Sequence, residues 1–329
     1  MEAAIEAAHT EDIPTLVQMI NDYNLPREVL PTSALTDPRV WEAMLPSMGM
    51  TAVFRNLRNM IKIGYISQGS DALRDVIAKI SDEEALRRGR IHPAQVFLAL
   101  KGINPHFGRD QSRSSGIRYG KPDDTQFVAP QALERALEDV FYKTFENVEP
   151  TGKNILVALD VSASMDQPVS TGLGTAMEWS ALMAMVTVRS ELYADTFAFS
   201  QGFTELPIRA NDSLSAVIRK ISGLPFQGTD CGLPMKWARE NKRDYDAFLV
   251  YTDSETWAGK RSPMQELRDY RKNSRNKSRK KSHSHEAKLG VIAMVSSSFS
   301  IADPNDKHTM DVVGMDTTVP AVLSDFIRS

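Results

Sequence analysis

Asn154-Ile155-Leu156-Val157-Ala158-Leu159-Asp160-Val161-Ser162-Ala163-Ser164-Met165 joins a continuous apolar run to three oxygen-bearing side chains at alternate positions. Ile155 to Leu159, bounded by Gly152 and Asp160, suits a central parallel strand covered on both faces better than an alternating edge strand. Past the strand the backbone must turn toward a helix, which places Asp160, Ser162 and Ser164 on one short loop. One carboxylate and two hydroxyls favour a hard cation such as Mg2+ over zinc, which takes nitrogen and sulfur. A ligand-free turn, with Ser164 or Asp166 capping a helix, is the plainer alternative.

The chain downstream fits that strand into a sheet. Strands at about 154–160, 194–199, 246–252 and 288–295 alternate with helical segments at about 172–190, 213–222, 231–241 and 262–272. A short strand near 311–315 precedes a last helix at 319–327. This alternation predicts an α/β doubly wound, Rossmann-like sheet with helices on both faces over residues 151–329. Ligands of such folds bind outside the carboxyl ends of the strands. Two more oxygen-bearing motifs fall there: Gly228-Thr229-Asp230 opens a helix, and Thr252-Asp253-Ser254-Glu255 ends a strand. Asp160, Ser162, Ser164, Thr229 and Asp253 could then surround one divalent cation, Mg2+ or else Mn2+ or Ca2+, leaving a position for an outside ligand. Taken singly, Thr229 and Asp230 read as helix caps and Asp253 as a strand-end turn.

Upstream the pattern changes class. From Glu11 to about Phe145 apolar residues recur at helical spacing, as in Ile13, Leu16, Val17, Ile20 and Tyr23, or Met50, Val53, Phe54, Leu57, Met60 and Ile61. Similar stripes follow near 73–80, 96–100 and 133–145, with short segments at 25–30 and 40–45. Six to eight helices over residues 1–150 are consistent with stacked, HEAT-like hairpins, although no repeat of fixed period is visible. Glu149-Pro150-Thr151-Gly152-Lys153 is the natural boundary.

The formal net charge of -3 conceals two basic zones. Residues 55–121 hold 13 Lys or Arg against 6 Asp or Glu, and residues 268–288 hold 9 against 2. Both read as docking surfaces for a polyanion, or as solvated loops. Arg55, Arg58 and Lys62 at i, i+3 and i+7 could form one phosphate-contacting helical stripe. Arg109, Arg113, Arg118 and Lys121, interleaved with Phe107 and Tyr119 in a stretch without helical pattern, could bind phosphate and stack bases. Residues 273–285 are basic and Ser-rich without apolar periodicity, which predicts a disordered protrusion.

Cys231 is the single cysteine, which excludes an intrachain disulfide and a cysteine-cluster zinc site. No run reaches the roughly 18 to 20 apolar residues of a membrane span, and the acidic start Met1-Glu2-Ala3-Ala4-Ile5-Glu6 is unlike a secretory signal. A cytoplasmic location without membrane contact is the expectation.

The five-residue oxygen set resembles the metal-ion-dependent adhesion site (MIDAS) of von Willebrand factor A domains, with all positions filled. Phe141-Tyr142-Lys143-Thr144-Phe145, Val148-Glu149-Pro150-Thr151-Gly152-Lys153, Gly228-Thr229-Asp230-Cys231, Tyr270-Arg271-Lys272, Ile301-Ala302-Asp303-Pro304 and Arg90-Ile91-His92-Pro93 resemble the Ro autoantigen family. The resemblance implies a TROVE helical-repeat ring joined to an adhesion-type domain in a ribonucleoprotein. Its members bind small noncoding Y RNAs on the outside of the ring and single-stranded ends of misfolded RNAs in its hole. The helical stretch here is shorter than a whole ring, which implies that repeats carrying much of the Y RNA contact are absent. It predicts an open crescent, or a ring completed by self-association or a partner. The expectation is a noncatalytic RNA-binding protein. The rivals are a module whose cation takes an acidic side chain from a protein partner, and a metal-dependent hydrolase, against which no general base is visible beside the ion.

Overall fold

The computed structural model describes residues 2–108, 128–169, 171–224, 228–253, 261–275, 286–294 and 301–329. The chain divides into two units. One runs through Pro105 and resumes through the helix before Asn147; the other holds residues 106–108 and Val148–Ser329.

The first unit is helical: α1 (Glu2–His9), α2 (Ile13–Tyr23), α3 (Pro38–Met44), α4 (Met50–Lys62), α5 (Asp71–Ile80), α6 (Glu83–Arg88), α7 (Pro93–Ile103) and α8 (Gln131–Lys143). Their starts follow local chemistry. Ser70 and Asp82 accept the N–H groups of Leu73 and Ala85 at the first turns of α5 and α6. In α4, Met50, Val53, Phe54, Leu57 and Met60 are buried at three- and four-residue spacing, as the sequence predicts. The helices α4 and α5 form one hairpin and α7 and α8 another, with α4 against α7 and α5 against α8. First helix on first and second on second is the stacking of a helical repeat. In α2 the sequence stripe is corrected at its end: Met19 is buried, whereas Tyr23 is 62% exposed.

His92 caps α7. Its Nδ1 accepts the Ala94 N–H at 3.1 Å, and its own N–H donates to Gln95 Oε1 at 3.0 Å, closing a capping box. An accepting Nδ1 leaves the proton on Nε2, which is fully buried without a hydrogen-bond partner. Burial pushes the imidazole down to about 4. The unfolded chain titrates near 6.5, so this group's stability contribution is whole above that pH and is lost as pH falls toward 4. His92→Asn keeps a capping acceptor and removes the titration. Denaturant unfolding should show wild type losing about 2 kcal/mol relative to the variant between pH 6.5 and 4; parallel curves would contradict the assignment.

The second unit is built on a six-stranded sheet. Its elements are β1 (Asn154–Asp160), α9 (Ala176–Ser190), β2 (Tyr193–Phe199), β3 (Phe203–Glu205), α10 (Leu214–Ser222), α11 (Leu233–Glu240), β4 (Ala247–Thr252), α12 (Pro263–Arg275), β5 (Lys288–Ala293), β6 (Thr309–Val313) and α13 (Val319–Arg328). The strand order is β3-β2-β1-β4-β5-β6, parallel except for the short antiparallel β3. Ile155 through Asp160 are all buried, as a central strand covered on both faces requires. One face carries Leu156, Ala158, Phe248, Val250, Leu289 and Val291, packed on Met235, Leu267 and Tyr270 from α11 and α12. On the other, α9 lies against β1 and β2. Residues Ala176 through Thr187 of α9 are buried on every side, so its sequence has no polar face.

Candidate functional site

Asp160 ends β1, and the order β2-β1-β4 sets its surroundings. The backbone beyond it folds into a 3-10 turn, Ala163–Asp166. The Asp160 carboxylate is 1% exposed. Its Oδ1 accepts the Ser162 N–H at 2.8 Å and its Oδ2 accepts the Thr252 hydroxyl at 2.7 Å. Burial pushes its pKa up to about 6 against those hydrogen bonds, and the charge of Asp253 adds to the rise. The two carboxylates therefore feel one another across the ends of β1 and β4. Among the described residues this is a desolvated acid without a compensating cationic side chain, since no lysine, arginine or histidine figures among the causes of its shift.

The Ser162 and Ser164 hydroxyls are hydrogen-bonded to each other at 3.0 Å. Thr229 is 2% exposed. Its loop is tied to the end of β2 where the Asp230 N–H donates to the Ser200 carbonyl at 3.0 Å, while Asp230 Oδ1 accepts the Gly232 N–H. Asp253, 8% exposed, follows β4 directly. A buried acid, a second acid acting on it and three hydroxyls on the loops that follow β1 and precede α11 make a donor set suited to a hard divalent ion. Among the described residues no group of three His, Cys, Asp or Glu side chains is placed to hold a metal ion, so hydroxyls must contribute to any such site.

Two participants were missed by the sequence reading. Thr252 lies inside a quoted motif, and strand alternation places it on the Asp160 face, but it was read only as the end of a strand. Ser200, 8% exposed, carries no motif.

The basic residues separate. Arg55 and Lys62 are exposed on α4, opposite its buried stripe. Arg58 is half-buried, and its Nη1 donates to the Gly102 carbonyl on α7, so part of its role is holding α4 against α7. Arg109, Arg113, Arg118 and Lys121 lie outside the described residues, as does most of the 273–285 stretch.

Residues 154–327 match the Ro60 vWA domain and residues 24–117 the TROVE domain. The chain belongs to the Ro60 family. Two curated relatives bear on the Ro60 assignment, both named RNA-binding protein RO60: one from Caenorhabditis elegans, 34% identical over 99% of this chain and 48% of its own length, and one from Deinococcus radiodurans, 34% identical over 100% and 58%. The crystal structure of the Deinococcus radiodurans RO (RSR) protein superposes with a TM-score of 0.84 at 32% identity, covering 99% of this chain and 62% of that one. The chain thus spans about half the length of the curated Ro60 relatives. The vWA match covers all three loops that carry Asp160, Thr229 and Asp253, and the TROVE match covers α4 with Arg55, Arg58 and Lys62. Among the described residues no helix is long and apolar enough to cross a membrane.

Proposed function

We propose that the chain is a noncatalytic RNA-binding protein of a ribonucleoprotein, gripping single-stranded or small noncoding RNA through the basic surface of its helical unit. The observation that carries this reading is the exposed Arg55 and Lys62 on the polar side of α4, joined to the naming of both curated relatives as RNA-binding proteins. Arg109, Arg113, Arg118 and Lys121 extend the same charge along the sequence.

In the second unit Asp160, Ser162, Ser164, Thr229 and Asp253 hold a divalent cation, Mg2+ or else Mn2+ or Ca2+, by the hard-oxygen chemistry of the set. Such an ion supplies an open coordination position for an oxygen of an acidic protein side chain. His308 stands beside the first residue pair of β5 and β6, at the opposite end of the strands from Asp160, and gives that site no base.

Binding of labelled single-stranded RNA followed over a salt series tests the first part. Log affinity should fall linearly with log salt, by about 0.7 per phosphate contact, and chelation with EDTA should leave the curve unchanged. A salt-independent or absent shift would sink the RNA reading, and an EDTA-sensitive one would move the RNA to the cation. Cleavage of the RNA above an EDTA control would overturn the noncatalytic assignment.

A further inference from the structure

The turn that leads from Thr229 into α11 is packed from behind by a buried acid. Asp230 Oδ1 accepts the Gly232 N–H at 2.9 Å, and Gly232 opens α11 at φ -81° and ψ -18°, a conformation open to any residue. Its need for glycine is spatial. A Cβ there would stand 3.1 Å from Asp230 Oδ1 and 3.3 Å from Glu266 Cγ, so the Glu266 side chain, on α12, closes directly on the turn. Glu266 is 5% exposed. Its Oε2 lies 3.0 Å from Arg239 Nη2 on α11, and its Oε1 lies 3.4 Å from Arg261 Nε just ahead of α12. The Arg239 contact is one of charge, since Oε2 is buried and accepts no hydrogen bond among the described residues. Both guanidiniums also reach Asp269, Arg239 at 3.4 Å and Arg261 at 2.5 Å.

A buried ion pair adds little stability over apolar side chains of the same volume, because desolvation offsets the attraction. What it can supply is one fixed arrangement of the elements it joins. Here those elements are α11, which follows Thr229 and Asp230, and α12, the next helix after Asp253. We propose that Glu266 is a positioning residue for the divalent cation: pinned between Arg239 and Arg261, it seats the Thr229–Gly232 turn and fixes where the Thr229 hydroxyl stands. The proposal rests on the reading of Asp160 and its companions as a cation site. Glu266 itself touches no ion. It acts through the turn, as residues behind metal ligands do when they hold those ligands in place. Charge alone predicts a different pattern of variants. Near a bound cation the loss of an acid weakens binding and the loss of a base strengthens it, whereas loss of positioning weakens binding in both cases.

Titration of the full chain with Mn2+, followed by electron paramagnetic resonance, tests it, with a circular dichroism melt of each variant beside it. Glu266→Gln keeps the side-chain stem against Gly232 and removes the charge that pins it; it should weaken Mn2+ binding by about tenfold. Arg261→Gln removes a positive charge and should nevertheless weaken binding too, in the direction opposite to the charge effect. The double variant should lose no more than Glu266→Gln alone, because both changes act through one contact. An ion pair that only held the fold together would lower the melting temperature and leave the affinity of the folded protein as it was. If Glu266→Gln does not fold, Arg261→Gln still decides by its sign, since its side chain is 46% exposed and lies outside the core. Unchanged affinity in folded Glu266→Gln, unchanged or tighter binding by Arg261→Gln, or losses that add in the double variant would overturn the positioning role while leaving the cation site intact. Absence of Mn2+ binding by wild type would overturn the cation site and the role of Glu266 with it.

Discussion

Asp160→Asn protein, freed of divalent ions at pH 7.5, should be more stable than wild type by on the order of 2 kcal/mol, a rise of roughly 5 °C in the unfolding midpoint of the α/β unit. Removing a buried, hydrogen-bonded acid usually destabilises. Here the folded protein raises the carboxyl pKa to about 6 from 3.8, chiefly by burial. A group with a raised folded pKa contributes its stability below 3.8 and loses it as pH climbs through 6, so at pH 7.5 the ionised form is a net cost. Asparagine keeps both contacts: its oxygen accepts the Ser162 N–H, and its amide can donate to Thr252 once that hydroxyl turns. It also removes the repulsion with Asp253. Saturating Mg2+ or Mn2+ should reverse the order. Wild type gains about 2.7 kcal/mol at an ion concentration one hundred times Kd, and the variant gains nothing. Thermal melts with and without ion, at pH 4.5 and 7.5, read both effects, since the ion-free advantage of the variant should shrink at the lower pH. A variant that melts below wild type without ion, or that still responds to Mg2+, would mean that Asp160 is a structural acid and not a ligand.

Which parts of this were readable from sequence follows from how much chain each signal spans. The run Ile155–Leu159 announced a covered strand because both of its faces had to be apolar, and β1 spans Asn154–Asp160 as read. The segment read as a helix over 172–190 begins instead at Ala176. Gly172 and Gly174, at φ of 69° and 87°, turn the chain before it, and Thr175 with Glu178 closes a capping box. That box was visible in Thr175-Ala176-Met177-Glu178. The last strand sits two residues earlier than read, at Thr309–Val313. Three residues of β3 offer no alternation to detect, and α6, with Leu86 as its one buried residue, offers no stripe. For the site, residue types and loop positions were legible. The support beneath them was not, because the Thr252 contact with Asp160 spans 92 residues and depends on the register of β1 with β4.

Arg55→Glu combined with Lys62→Glu should weaken single-stranded RNA binding by about 50-fold near 0.1 M salt and lower the slope of log affinity against log salt by about 1.4. Both effects come from phosphates. Each neutralised phosphate releases counterion, so two lost contacts remove two increments of slope, and two introduced carboxylates add repulsion to the loss. The helix should survive the change: both positions are exposed, Glu is a good helix former, and the buried stripe of α4 is untouched. Arg58 is the wrong residue for this test, because its contact with Gly102 links α4 to α7 and its loss would confuse folding with binding. The matching control is Arg219→Glu with Lys236→Glu. It changes net charge equally on exposed positions of α10 and α11 in the other unit, and should shift affinity by less than about threefold, the long-range share being screened beyond a Debye length of roughly 10 Å. Equal losses from the two pairs would show that net charge alone drives binding. No loss from the α4 pair would move the RNA off this helix and toward the Arg109 to Lys121 stretch, where a charge reversal of Arg113 and Arg118 should then carry the effect.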